Sequence, residues 1–172
     1  MEKGAADVSA IVTAVRNSGA DFVYWCGYYA DGSNVIKQLR QGGYSDYICV
    51  GDGSSSPELI TACGPAGEGV YVTSPPFVEF AEGGDAFMAA YQAKFNQPAG
   101  TYSNLCYDTI MVLKSAIEKA GTTDTAKVRE QIQNIDHNGL SGQIKFAENR
   151  ELAVSNFIIL KIENGNFILI NI

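Results

Sequence analysis

Two short apolar runs, Phe22-Val23-Tyr24-Trp25 and Tyr47-Ile48-Cys49-Val50, each break at a glycine-bearing turn and lead into a helical pattern. The turns are Cys26-Gly27-Tyr28 and Val50-Gly51-Asp52-Gly53. Strand, turn and helix in strict alternation imply a parallel sheet with right-handed crossovers. If the two runs are neighbouring parallel strands, the turns bring a phenol, Tyr28, beside a carboxylate, Asp52, at the strands' carboxyl ends. Open α/β sheets hold small ligands at that end. A carboxylate there suits a cationic group such as an amine.

The pattern extends on both sides of these turns. Asp7 is placed to cap a helix with Val8, Ile11, Val12 and Val15 on one face and Gly19 as its stop. A strand over 22–26 and a helix over about 33–41 follow, the helix carrying Val35, Ile36 and Leu39 and ending at Gly42-Gly43. Beyond the strand at 47–50, Ser56-Pro57-Glu58 combines a cap, a first-turn proline and a first-turn acid, the signature of a helix start. A third strand covers 70–73. Between about 77 and 140 no strand is predicted. Three helical patterns occupy that stretch, one around Phe87, Met88, Tyr91 and Phe95, one over 103–120, and a short one holding Val128 and Ile132. Helices without strands must cover a sheet supplied from elsewhere. The tail predicts a strand over 143–146 and a hairpin of 154–162 with 166–170 turning at Asn164-Gly165. The unbroken aliphatics at 157–160 predict a strand buried on both faces.

Composition limits the function classes. A chain of 172 residues, 46% hydrophobic and 18% charged, reads as globular, and a net charge of −7 with twelve scattered basic residues argues against nucleic acid. No apolar stretch approaches the ~20 residues of a membrane span. The first seven residues lack an apolar core, so no signal peptide is expected in this chain. Cys26, Cys49, Cys63 and Cys106 lie far apart and His137 is the only histidine, so neither a metal site nor a cofactor is expected. Cys26 and Cys49 read as small buried thiols, with a disulfide between them left open. Tyr24 and Trp25 read as core, Ser56 as a cap, and His137 as a solvent-facing loop residue. No catalytic constellation appears, and an enzyme is not expected.

Set together, Ala20-Asp21-Phe22-Val23-Tyr24, Gly27-Tyr28, Gln38-Leu39-Arg40-Gln41-Gly42-Gly43 and Gly51-Asp52-Gly53 resemble the branched-chain amino-acid (leucine/isoleucine/valine) binding proteins of ABC transporters, in the type I periplasmic solute-binding family. The likeness continues through Gly67–Thr73, Phe95-Asn96-Gln97-Pro98, Tyr107-Asp108-Thr109-Ile110 and Gly139-Leu140-Ser141-Gly142-Gln143-Ile144-Lys145-Phe146. It covers nearly the whole chain, yet corresponds only to the carboxyl-terminal half of the family's two-lobed fold. The resemblance implies an incomplete Rossmann-like parallel sheet with a β-rich carboxyl-terminal segment. Residues 1–75 would be the later part of the second ligand-binding lobe, 76–142 helices returning to the first lobe, and 143–172 the final hinge crossing and terminal strands.

The resemblance also implies roles. An acid at the position of Asp52 accepts hydrogen bonds from the ligand's ammonium, and a tyrosine at the position of Tyr28 lies against the ligand. Some relatives carry Glu where this chain has Asp52. Relatives favour Asp-x-x-Gly-Asp after the last motif, where this chain has Ala147-Glu148-Asn149-Arg150-Glu151. The implied partners are a small aliphatic amino acid, an ABC permease, and either the missing amino-terminal half or a second copy of the chain. The implied location is periplasmic or extracellular. Because the carboxylate-binding groups of the family come from the absent half, weak or no ligand binding is expected of this chain alone. Two other readings stay open: a self-associating α/β fragment with 22–26 as its exposed edge, and a ligand-sensing regulatory domain or small flavodoxin-like protein without a transport role.

Overall fold

The computed structural model describes residues 7–170 and divides them into two compact units, 7–74 with 158–170, and 75–157. The first unit carries a five-stranded sheet in the order β1 (Phe22–Trp25), β2 (Tyr47–Val50), β3 (Tyr71–Ser74), β6 (Ile158–Glu163), β7 (Asn166–Ile170). The first three strands are parallel, and β6 and β7 join antiparallel. This is the mixed α/β architecture with a β-rich tail that the sequence predicts. β1 lies at one edge, as expected.

Three helices accompany this sheet: α1 (Ser9–Ser18), α2 (Tyr29–Gln41) and α3 (Pro57–Cys63). Gly19 closes α1 in the left-handed conformation at φ 66°, where a Cβ would be strained. Asp7 meets the start of α1 by accepting from the Ser9 amide at 2.8 Å, and this bond holds its carboxyl below the usual range. The capping position itself falls to Val8, whose side chain makes no cap.

Helix α2 begins at Tyr29, four residues before the predicted start. Ala30-Asp31-Gly32-Ser33 reads as a turn by residue preference. Here Asp31 lies in the first turn, where a helix favours a carboxylate, and Gly32 lies against the indole of Trp25. Val35, Ile36 and Leu39 of α2 are buried, as are Ile48, Val50, Val70, Val72, Leu160 and Ile162 of the strand region.

The strand register sorts the sheet into two faces. Trp25, Val50, Val72, Leu160 and Leu169 align across all five strands on the face that packs on the helices. Tyr24, Cys49, Tyr71, Lys161 and Ile168 align on the other. Tyr24 is therefore exposed and Trp25 half-buried, so neither is the fully buried core residue its strand position suggests. The two-sided burial predicted at 157–160 also fails. Phe157 is exposed, and within β6 only Leu160 and Ile162 are buried. The other face of β6, with Ile159 and Lys161, keeps partial exposure, whereas β2 is buried on both faces through Ile48, Cys49 and Val50. All four cysteines are free; Cys49 and Cys63 are buried, whereas Cys26 and Cys106 are exposed, correcting the buried reading of Cys26.

The hairpin joining β6 and β7 turns at Asn164-Gly165 with φ 51° and 72°, the left-handed pair that a two-residue loop requires.

The second unit holds α4 (Gly84–Phe95), α5 (Ser103–Ala120), α6 (Thr125–Gln133) and a two-stranded hairpin, β4 (Asp136–Gly139) with β5 (Gly142–Lys145). The three helices match the predicted patterns. β4 does not: it lies inside the stretch read as strand-free, and His137 is a half-buried strand residue instead of a loop residue. Asp-His-Asn-Gly has little strand preference. Tertiary bonds hold it instead. Asp108 of α5 is buried and accepts from the Leu140 amide (3.1 Å), the Ser141 amide (2.7 Å) and the Ser141 hydroxyl (2.6 Å). A Cβ on Gly139 would lie 2.5 Å from the Asp108 carboxyl carbon, so the clamp also needs glycine there. Asp136 takes further bonds from Gln143 (2.8 Å) and Lys145 (3.0 Å), which lower its pKa.

The turn after Phe146 closes with Arg150 at φ 71°, a left-handed backbone conformation that glycine adopts without strain. No helix among the described residues is long and apolar enough to cross a membrane.

Candidate functional site at the strand ends

Parallel strands that each feed a turn and then a helix leave their turns side by side at one edge of the sheet. β1 and β2 do so in register, Trp25 opposite Val50, and the Gly51 amide donates to the Trp25 carbonyl at 2.9 Å. The turn beyond β2 winds into a short 3-10 segment, Asp52–Ser54. From it the Ser54 hydroxyl reaches back to donate to the Gly27 carbonyl at 2.9 Å. Ser54 is completely buried, so this bond is a fixed strut between the turns.

Tyr28 stands at the extended residue before α2 with its ring 69% exposed. Its Cδ1 lies 3.5 Å from where a Cβ on Gly53 would be. The phenol therefore lies on the very turn that carries Asp52, whose side chain is exposed. The Tyr28 ring and the backbone of the turn that carries Asp52 therefore meet at Gly53. The hydroxyl of Ser55 is turned inward to the Asp52 carbonyl at 2.7 Å, which stiffens the Asp52 turn from within.

Four further groups, Trp25, Tyr24, Ser74 and Ser56, lie near this edge and were missed or misread in the sequence. Trp25 donates from Nε1 to the Tyr28 carbonyl at 3.3 Å, and its ring fills the space beside Gly27 and Gly32. A Cβ on Gly27 would lie 2.4 Å from Trp25 Cζ2, and one on Gly32 2.7 Å from Nε1. The indole thus sets the path of the Tyr28 turn. The signal was present as an aromatic followed by glycines two and seven residues on, but only tertiary contact gives that spacing meaning. Tyr24 OH shares a 2.9 Å hydrogen bond with Thr73 Oγ1, tying β1 to β3 across β2.

Ser74, the last residue of β3, is fully buried and its hydroxyl has no hydrogen-bond partner. The Ser56 hydroxyl is likewise buried and unpartnered. This corrects the reading of Ser56 as a side-chain cap: it occupies the capping position of α3, with Pro57 next, but makes no capping bond.

This edge offers one carboxylate, one aromatic face and a rigid backbone frame. That set can pair with a cation and cover an apolar group. Among the described residues, no cluster of three or more His, Cys, Asp or Glu is arranged to hold a metal ion.

Comparison with known proteins places this geometry. A family model described as "Periplasmic binding protein" matches residues 1–166. The leucine-, isoleucine-, valine-, threonine- and alanine-binding protein of Pseudomonas aeruginosa is 27% identical over 159 residues, covering 92% of this chain and 43% of its own length. The Leu/Ile/Val-binding protein homolog 3 of Brucella melitensis is 29% identical over 171 residues, covering 96% of this chain and 45% of its own. A solved leucine-binding protein, LivK, from Thermotoga maritima superposes with a TM-score of 0.88 at 32% identity, over 99% of this chain and 49% of that one. The chain therefore spans about half the length of the relatives it matches. With a family model over nearly its whole length and the same half-fold in a relative of known structure, this chain belongs to the periplasmic binding protein family.

Proposed function

We propose that this chain is the carboxyl-terminal part of an extracytoplasmic solute-binding protein that takes a small aliphatic amino acid for uptake through an ABC permease. Asp52 receives the ligand's ammonium group and Tyr28 covers its apolar part. The observation that carries this reading is the strut between the two turns, Ser54 hydroxyl to Gly27 carbonyl at 2.9 Å, with the Tyr28 ring against Gly53. Relatives named for leucine, isoleucine and valine support the ligand class.

Charge-assisted hydrogen bonds are worth about 1.5–3 kcal/mol each. An amino acid has two charged ends, and this edge supplies a counter-charge for the ammonium alone. Losing two or three bonds to the carboxylate costs about 3–9 kcal/mol, which takes a micromolar site, near −8 kcal/mol, to about 0.2 mM or weaker. Isothermal titration of the chain with leucine, isoleucine and valine should therefore show no micromolar binding. The same chain completed by an amino-terminal half should bind one of them, and Asp52→Asn in that complex should weaken binding about ten- to hundred-fold. Micromolar affinity in the isolated chain, or unchanged affinity in the variant, refutes this assignment.

A further inference from the structure

Successive residues of a strand point to opposite faces, and the last two of β1 divide in that way. Trp25 points to the helical face, where its indole holds the Tyr28 turn. Tyr24 points to the other face, in the row of Cys49 and Tyr71. Two residues beyond Cys49 and Tyr71, Gly51 and Thr73 come to that same face by alternation.

Here the Tyr24 ring spans β2. Its hydroxyl shares a 2.9 Å hydrogen bond with Thr73 Oγ1, and the Thr73 hydroxyl donates to the Val50 carbonyl at 3.5 Å. Threonine has a single hydroxyl proton. With that proton given to Val50, the 2.9 Å bond takes its proton from Tyr24, so the relay runs one way, from phenol to threonine to carbonyl. The residue beneath the crossing is a glycine. A Cβ on Gly51 would lie 3.2 Å from the Tyr24 hydroxyl, close enough to push it away from Thr73. Gly51 has φ −80°, which any residue adopts, so the phenol and not the backbone favours glycine there.

The peptide between Val50 and Gly51 is thereby held at both ends. Its carbonyl accepts from Thr73 on the β3 side, and its N–H donates to the Trp25 carbonyl on the β1 side at 2.9 Å. Asp52 follows at once, and the Gly51 carbonyl accepts from the Ser54 amide at 2.9 Å to close the turn. A peptide plane fixed in this way sets the direction in which the Asp52 turn leaves the sheet.

We infer that Tyr24 and Thr73 are positioning residues for Asp52: their relay aims the turn that presents its carboxylate to an ammonium group. β1 then governs both arms of the site, Tyr28 through Trp25 and Asp52 through Tyr24. Tyr24 is 47% exposed, so water competes for its hydroxyl and the effect has the size of one ordinary hydrogen bond. The role in binding rests on Asp52 being the ammonium partner; the relay rests on the hydrogen bonds alone.

The test uses the isotope-labelled chain and two variants that delete a hydroxyl while keeping the side chain's shape, Tyr24→Phe and Thr73→Val, with Thr73→Ser as the conservative rescue. Native-state hydrogen exchange is read at the Gly51 and Ser54 amides. The control is Ile162 in the same sheet, whose amide donates to the Val70 carbonyl at 2.9 Å. Tyr24→Phe and Thr73→Val should each speed exchange at Gly51 and Ser54 about two- to ten-fold, and together no more than either alone. Thr73→Ser should keep the parent's rates, and Ile162 should be unchanged throughout. Leucine is then titrated in the millimolar range and followed by amide shifts. Each hydroxyl deletion should weaken binding about two- to ten-fold in the parent and leave it unchanged in an Asp52→Asn background, a pattern that general loss of structure does not give. An equal rise at Ile162, no rescue by serine, or an affinity loss that persists without the Asp52 carboxylate overturns the inference. Unaltered rates at Gly51 and Ser54, while Asp52→Asn still weakens binding, refute the relay alone. A parent with no leucine-dependent shift, or an Asp52→Asn chain that binds as the parent does, refutes the ammonium site and takes the positioning role with it.

Discussion

Replacing Gly27 by alanine adds one methyl group at the most tightly packed point of the candidate site. The new Cβ would lie 2.4, 2.6 and 2.9 Å from Cζ2, Cε2 and Nε1 of Trp25, all closer than real Cβ contacts come. The indole must move, because the atoms in the way belong to a rigid ring. Its movement takes Nε1 off the Tyr28 carbonyl, now 3.3 Å away, and strains the Ser54 bond to the Gly27 carbonyl. Overpacking of this kind costs about 1–3 kcal/mol, and weakening two ordinary hydrogen bonds adds about 1 kcal/mol. Destabilisation of about 2–4 kcal/mol follows. With a urea slope of about 2 kcal/mol per molar, the midpoint of the first unit should fall by about 1–2 M. Trp25 is the only tryptophan, so intrinsic fluorescence reports this unit directly, and its emission should shift in the native baseline as well. Gly19→Ala is the control: nothing lies within 4 Å of its Cβ position, so any cost comes from φ 66° alone and leaves the native emission unchanged. A Gly27→Ala protein with the parent's midpoint and emission would show that the indole does not hold the Tyr28 turn.

Four further outcomes are expected. Asp108→Ala removes three hydrogen bonds from the Leu140–Ser141 turn and should destabilise the second unit by about 3–5 kcal/mol, seen as lost hydrogen-exchange protection at those two amides. Arg150→Gly relieves a positive φ of 71° and should stabilise by about 1 kcal/mol, read as a higher denaturation midpoint. Thiol titration at pH 8 should find Cys26 and Cys106 reacting fast and Cys49 and Cys63 slowly, because burial pushes both of the latter thiols up, Cys63 to about 11. Since the folded thiol ionises later than the unfolded one at 9.0, the stability contributed by neutral Cys63 is full below pH 9 and is lost as pH rises through about 11; Cys63→Ala should flatten that part of the stability profile.

Some of this molecule was legible residue by residue. Asn164-Gly165 announced its hairpin because almost no other pair accepts two successive positive φ values. Gly19 and Gly121 announced helix ends for the same local reason. The adjacency of the turns that carry Tyr28 and Asp52 was legible because a strand, a turn and a helix repeated in order leave the turns side by side whatever the core contains. β4 was invisible because nothing in Asp136–Gly139 prefers a strand; a carboxylate thirty residues earlier holds its turn in place. The early start of α2 was hidden in the same way, since only the Trp25 ring explains a glycine within its first turns.

The order of the first three strands and their helices, and the helix-ending and hairpin turns, therefore followed from the chain itself, because backbone conformation and alternation are local properties. Tertiary structure alone decided which way each four-residue strand faces. A shift of one residue exchanges the faces of a strand, and four residues hold too few apolar positions to choose between them. Tyr24 is exposed, Trp25 packs on glycines and Cys26 reaches solvent because helices lie on one side of the sheet and not the other.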